Sequence, residues 1–178
     1  MMKNNNGMGL ILTLLMVVLL GGCNKIEVGS LKYPYNFEGY SEYHFTSEEV
    51  PPFRFKYPAG WIIEEIPAIK ASDGIEASPD WGARIYQEGY EENTVYLFGS
   101  FSPTSIIYEP TYSKSEFIVN ELRKGDSYTK IAGGTVSIYV LYDKGADTGY
   151  QNAIVNMEEG FYKQHKEVIW HIIASVEY

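Results

Sequence analysis

The chain has 178 residues, 45% of them hydrophobic, with 14 Lys and Arg against 23 Asp and Glu and a formal charge of −9. That acidity excludes a nucleic-acid binder, which needs clustered basic side chains, and it excludes electrostatic adhesion to anionic lipid. A single Cys excludes a disulfide framework and a thiolate metal site.

The first element is the N-terminal run "MGLILTLLMVVLL", Met8 to Leu20, which carries no charge and follows Lys3 and a polar stretch. A thirteen-residue helix at 1.5 Å per residue reaches only about 20 Å, short of a hydrocarbon core of roughly 30 Å. That length suits the apolar region of an export signal. Gly21 and Gly22 are small and weaken a helix, which suits entry into a peptidase site.

The run closes on "LGGC", Leu20 to Cys23, the chain's one Cys. These four residues resemble the lipobox of bacterial lipoprotein signals. The resemblance implies that the Cys23 thiol is joined to diacylglycerol and that cleavage makes Cys23 the new N-terminus. Two acyl chains, palmitate-like, suffice for stable anchoring where one alone is marginal. Residues 1–22 are then a lipoprotein signal peptide, and the mature side chains carry 13 basic against 23 acidic groups.

Residues 23–50 read as the lipidated Cys and a tether. The stretch has Gly, Ser and Pro and no sustained period, yet Tyr33, Tyr35, Phe37, Tyr40, Tyr43 and Phe45 argue against pure disorder. A flexible piece to about Leu31 followed by an extended segment lying on the domain is expected. His44 reads as an exposed loop residue.

Residues 51–178 form the domain, long enough for a core of their own. Phe53, Phe55 and Tyr57 alternate with Arg54 and Lys56, the pattern of a half-buried strand. A turn at Pro58 to Gly60 leads to a second strand, Trp61 to Ile66, with Ile62 and Ile66 on one face and Trp61 and Ile63 on the other. The turn should bring Trp61 beside the core. Trp81 to Gln87 and Val95 to Phe101 read as a hairpin with a longer loop. In "SKSEFIVNELRKG", Ser113 and Glu116 make a capping box, Phe117, Ile118 and Leu122 an apolar stripe, and Gly125 a stop, so a helix is expected. Gly133-Gly134 marks a hairpin turn. Val136, Ile138, Val140 and Tyr142 alternate along a strand whose two faces are both fairly apolar, as in a sheet interior. Tyr150 to Met157 is a further strand. The closing "FYKQHKEVIWHIIASVEY" reads as a helix, with Phe161, Val168, Ile172 and Val176 in its stripe, widened by Ile169 and Ile173, and with Lys163 and Glu167 paired at i,i+4. Most of the sixteen Tyr fit simply as strand residues.

The order of strands and helices is that of an antiparallel sheet with helices added, an α+β pattern. Here "FRFKYPAGW", Phe53 to Trp61, resembles the opening of PsbP-like domains, and "WHIIASVEY" resembles their closing helix with its Ser near position 175. The resemblance covers about residues 50–178 and implies an α/β/α sandwich around a central antiparallel sheet. It also implies a non-enzymatic binding protein, since the family's named members are extrinsic photosystem subunits and many relatives are lipoproteins. It carries no site residue over to this chain.

Site chemistry in the sequence is sparse. The pairs Glu48-Glu49, Glu64-Glu65, Glu91-Glu92 and Glu158-Glu159 point to opposite faces when on strands and make poor chelators. Asp143 and Asp147 lie in a Gly-bearing loop that lacks the oxygen density of a calcium site. Glu167 and His171 are two potential zinc ligands, too few for a site. His165 and His171 fall on different helix faces. No hydrolase or phosphate-loop motif occurs. No catalytic residue, cofactor or metal is therefore predicted. The expected role is that of a lipid-anchored protein on the extracytoplasmic face of the cell membrane. It would meet the membrane through its anchor and another extracytoplasmic protein through an aromatic surface such as 33–45. The alternatives are a small-molecule or metal-ion binder and, further off, a hydrolase.

Overall fold

Alternation of apolar and polar residues over short runs dictates strands, and nine of them form among the described residues. The computed structural model describes residues 34–46, 52–66, 81–100, 111–120, 123–142 and 150–177. In chain order the strands are β1 (Tyr40–Phe45), β2 (Phe53–Pro58), β3 (Trp61–Ile66), β4 (Trp81–Gln87), β5 (Thr94–Ser100), β6 (Ser113–Asn120), β7 (Arg123–Ala132), β8 (Thr135–Tyr142) and β9 (Tyr150–Glu158). The helix α1 (Glu159–Ala174) follows directly. The architecture is α+β, as expected. An antiparallel sheet of order β3-β4-β5-β9-β8-β7-β6 carries α1 on one face, and β1 and β2 form a separate two-stranded ribbon.

Strand pairing sets two distinct ends. The turn at 59–60, the loop at 88–93, the turn at 133–134 and the β9–α1 junction all lie at one end of the sheet. There Gly60, Gly133 and Gly134 take positive φ, which favours Gly. The last residues of β6, the first of β7 and the C-terminal end of α1 lie at the opposite end.

The helix-facing side is apolar where the alternation says it should be. Ala83, Ile85, Val95, Leu97, Val136, Ile138, Val140, Ala153 and Val155 are buried there. Trp61 is 6% exposed, beside Phe161 and His165 of α1, as the sequence led us to expect. Trp170 is also buried, its indole N–H donating to the Tyr162 hydroxyl at 3.0 Å, and Tyr142 donates to the Ile173 carbonyl at 2.7 Å. Both bonds satisfy polar tips inside the core, the first within α1 and the second from β8 to the helix, which ties α1 to the sheet. The other face carries one row in register across all seven strands: Glu64, Arg84, Tyr96, Ile154, Tyr139, Tyr128 and Lys114. Several of the many Tyr are thus strand residues on a sheet face.

Two expectations fail. The segment 113–125 is not a helix: 113–120 is the edge strand β6 and 123–125 opens β7. Phe117 and Val119 turn inward while Ile118 is exposed, a period of two. Gly125, expected as a helix stop, lies opposite Phe117 in the sheet. And Lys163 pairs with Glu159 at 2.7 Å instead of with Glu167.

Candidate functional site

The Tyr-rich segment supplies the site. Residues 34–40 form a strap across the C-terminal half of α1 before entering β1. The strap is shaped locally: Asn36 Oδ1 accepts from the Glu38 N–H at 3.0 Å, Tyr40 N–H donates to Phe37 at 3.2 Å, and Gly39 has φ 78°. Its rings close around one helix residue. Tyr35, Phe37 and Tyr40 stand at 6.0, 5.6 and 5.6 Å from the His171 ring, and Nδ1 of that His is buried without a hydrogen-bond partner among the described residues. The Tyr35 hydroxyl donates to the Ile118 carbonyl of edge strand β6, buckling the strap to the sheet. Burial raises the Tyr35 and Tyr40 hydroxyls above their ordinary pKa, with Glu167 adding to the effect on Tyr40, so both stay protonated donors.

The ribbon is joined to the helix end by a second set of bonds. Arg54 and Glu177 exchange two backbone hydrogen bonds of 2.8 Å, and the guanidinium grips the Glu177 carboxylate, with Nε 2.9 Å from Oε2. Ser175 Oγ accepts from the Lys56 N–H at 2.8 Å and donates to the Ile172 carbonyl at 2.8 Å. This gives the Ser singled out near the end of the sequence a role: it satisfies a strand donor that has no ladder partner there.

Between strap, ribbon and helix end lies a cavity of about 220 Å³. Pro34, Tyr35 and Phe37 form its strap wall, Val119 its sheet wall, and Ala174, Ser175 and Glu177 its helix wall. Lys56 completes it, its ammonium 4.8 Å from the centre of the Phe37 ring.

The residues weighed from sequence fall as follows. Cys23, Asp143, Asp147, Glu48 and Glu49 lie outside the described residues. Glu64 pairs with Arg84 at 3.2 Å while Glu65 meets the Tyr43 hydroxyl from the opposite face of β3. Glu91 accepts from Gly89, and Glu92 accepts from Asn93. His44 is exposed on β1, 2.8 Å from Glu42. His165 packs between Trp61 and Phe161, and His171 sits in the strap's ring of aromatics, so the two do not converge. Glu167 and His171 gain no third metal-binding neighbour among the described residues. Phe37 belongs to the segment 33–45 expected as an aromatic binding surface, whereas Lys56 is not singled out as a site residue from sequence. Lys56 is the outward member of a strand alternation, and nothing in local spacing tells that its outward side faces a strap.

The described helix is not long and apolar enough to cross a membrane. No family model matches the chain, and no curated protein matches it. Among solved structures it is similar to the solution structure of cyanobacterial PsbP (CyanoP) from Synechocystis sp. PCC 6803, at 8% identity and a TM-score of 0.47, over 89% of this chain and 98% of that one.

Proposed function

We propose that the protein is a lipid-anchored, extracytoplasmic lipoprotein that acts by binding and not by catalysis. The observation that carries this reading is the position of Cys23: the chain's one Cys closes an uncharged apolar run in the pattern Leu-Gly-Gly-Cys. Eleven residues further on, at Pro34 and Tyr35, the chain reaches the strap. At roughly 3.5 Å per extended residue such a tether holds the domain within about 40 Å of the bilayer. The domain then presents its surface to the extracytoplasmic space, where its partner is another protein or a small ligand.

The described histidines favour binding over acid–base work. Each is held by a neighbour that serves packing or surface pairing: His44 by Glu42, His165 by Trp61 and Phe161, His171 by the strap. The segment 33–45, expected as a partner surface, uses much of its aromatic area on its own domain. Phe45 is buried against Phe53, and Tyr43 lies 5.2 Å from Phe55. The cavity under the strap therefore favours a small ligand as the second form of the binding reading.

The test is fractionation of cells producing the wild type and Cys23→Ala. The wild type belongs in the membrane fraction, and the variant leaves it or remains as unprocessed precursor. Mature-sized Cys23→Ala protein in the membrane would refute the anchor.

A further inference from the structure

The cavity's one free charge is Lys56. Arg54, Arg84, Lys114, Lys124 and Lys163 each have a carboxylate partner: Glu177, Glu64, Asp126, Glu116 and Glu159. Lys56 has none among the described residues, and its ammonium rests on the face of Phe37 inside the cavity wall. The facing carboxylate, Glu177, is gripped by Arg54 through both Nε and the terminal nitrogen. That carboxylate is thus engaged, and Glu42, which faces Lys56 across β1 and β2, lies 2.8 Å from His44 and 3.8 Å from Arg54, so the Lys56 ammonium is the group in the cavity wall without an ion-pair partner among the described residues. The remaining walls are apolar or carry satisfied polar groups, since the Tyr35 hydroxyl is bonded to Ile118 and Ser175 Oγ to Lys56 and Ile172.

We propose that this cavity binds a small carboxylate with a compact apolar body, the carboxylate on the Lys56 ammonium and the body against Tyr35, Phe37, Val119 and Ala174. A charge-assisted hydrogen bond to an otherwise unpaired ammonium supplies orientation, and the apolar walls supply burial. The volume of about 220 Å³ equals that of roughly seven waters, which fits a single substituted ring or a short branched chain. Because Pro34, Tyr35 and Phe37 form one wall, an occupied cavity also holds the strap closed.

The inference deepens the binding reading and does not depend on the anchor. The full chain as cells produce it, purified in detergent from whole-cell extract, is titrated by calorimetry with phenylacetate, with 2-phenylethanol as the neutral analogue and phenethylamine as the cationic one. Saturable binding of phenylacetate is expected, at least ten-fold tighter than either analogue. Lys56→Met should weaken it ten-fold or more and Lys56→Arg should largely retain it, with both variants keeping the wild-type melting temperature. No saturable phenylacetate binding, or equal binding of the three probes, overturns the proposal without reference to any variant. Undiminished binding to folded Lys56→Met also overturns it. Any of these failures leaves the outcome of the Cys23→Ala fractionation untouched, so loss of the ligand and loss of the anchor are separately visible.

Discussion

Gly125 and Phe117 face each other across β6 and β7, and a Cβ added at Gly125 would lie 2.5 Å from the Phe117 ring. The ring cannot swing away, because it is buried between Tyr142 and Trp170 at 6.1 and 5.5 Å. Gly125→Ala should therefore act as overpacking and lower stability by about 1–3 kcal/mol. Combined with Phe117→Leu, its cost should fall well below the single-mutant value, a coupling read from denaturant midpoints. Independent, additive costs would show that the ring does not depend on the missing side chain.

The same pair explains where sequence reading succeeded and where it failed. Strands β2, β3 and β4, the turn at Gly133-Gly134 and the helix α1 follow from local periodicity and turn chemistry, which neighbours along the chain display. The segment 113–125 carries local helix signals: a Ser and a Glu at capping distance, then Arg, Lys and Gly. What overrides them is pairing between strands and the burial of Phe117 against Tyr142 and Trp170. Phe117 packs over Gly125, and Ser115 meets Ser127 hydroxyl to hydroxyl at 2.8 Å. The cavity is illegible for a related reason. Its walls come from positions 34–37, 56, 119 and 174–177, and only the fold brings them together.

Trp61 is a packing residue. Truncating a buried aromatic ring costs about 3–5 kcal/mol, a large part of a total near 5–15 kcal/mol. Trp61→Ala should lower the denaturant midpoint clearly more than Tyr40→Ala, whose ring is only half-buried in the strap. Equal midpoints would move Trp61 from the core to the surface.

Asn93 caps α1 from another loop. Its side chain is fully buried, and Oδ1 accepts from the Glu158 N–H at 2.7 Å, while Gly134 takes the Glu159 N–H at 2.8 Å. Asn93→Leu leaves a donor at the helix start unpaired, at a cost of about 1–3 kcal/mol. Asn93→Asp keeps the acceptor and should lose less. The ranking is read from thermal melts, and a Leu variant as stable as the wild type would contradict it.

His165 makes stability depend on pH. Burial against Trp61 and Phe161 holds its pKa below the ordinary 6.5. The unfolded chain then takes up the proton first as pH falls, so this contribution is present above pH 6.5 and is lost on acidification through the lowered folded pKa. His165→Phe keeps an aromatic ring there and should show a smaller drop in melting temperature between pH 7.5 and 5.5 (both roughly one unit from that ordinary value). An unchanged drop would assign the acid sensitivity to other groups.

Intact-mass spectrometry of the protein extracted from its native membranes reads in one step what Cys23 carries. The predicted result is a chain beginning at Cys23 with the added mass of a diacylglyceryl group on that residue. An unmodified chain beginning at Met1, or one cleaved elsewhere with a free thiol at Cys23, would contradict it.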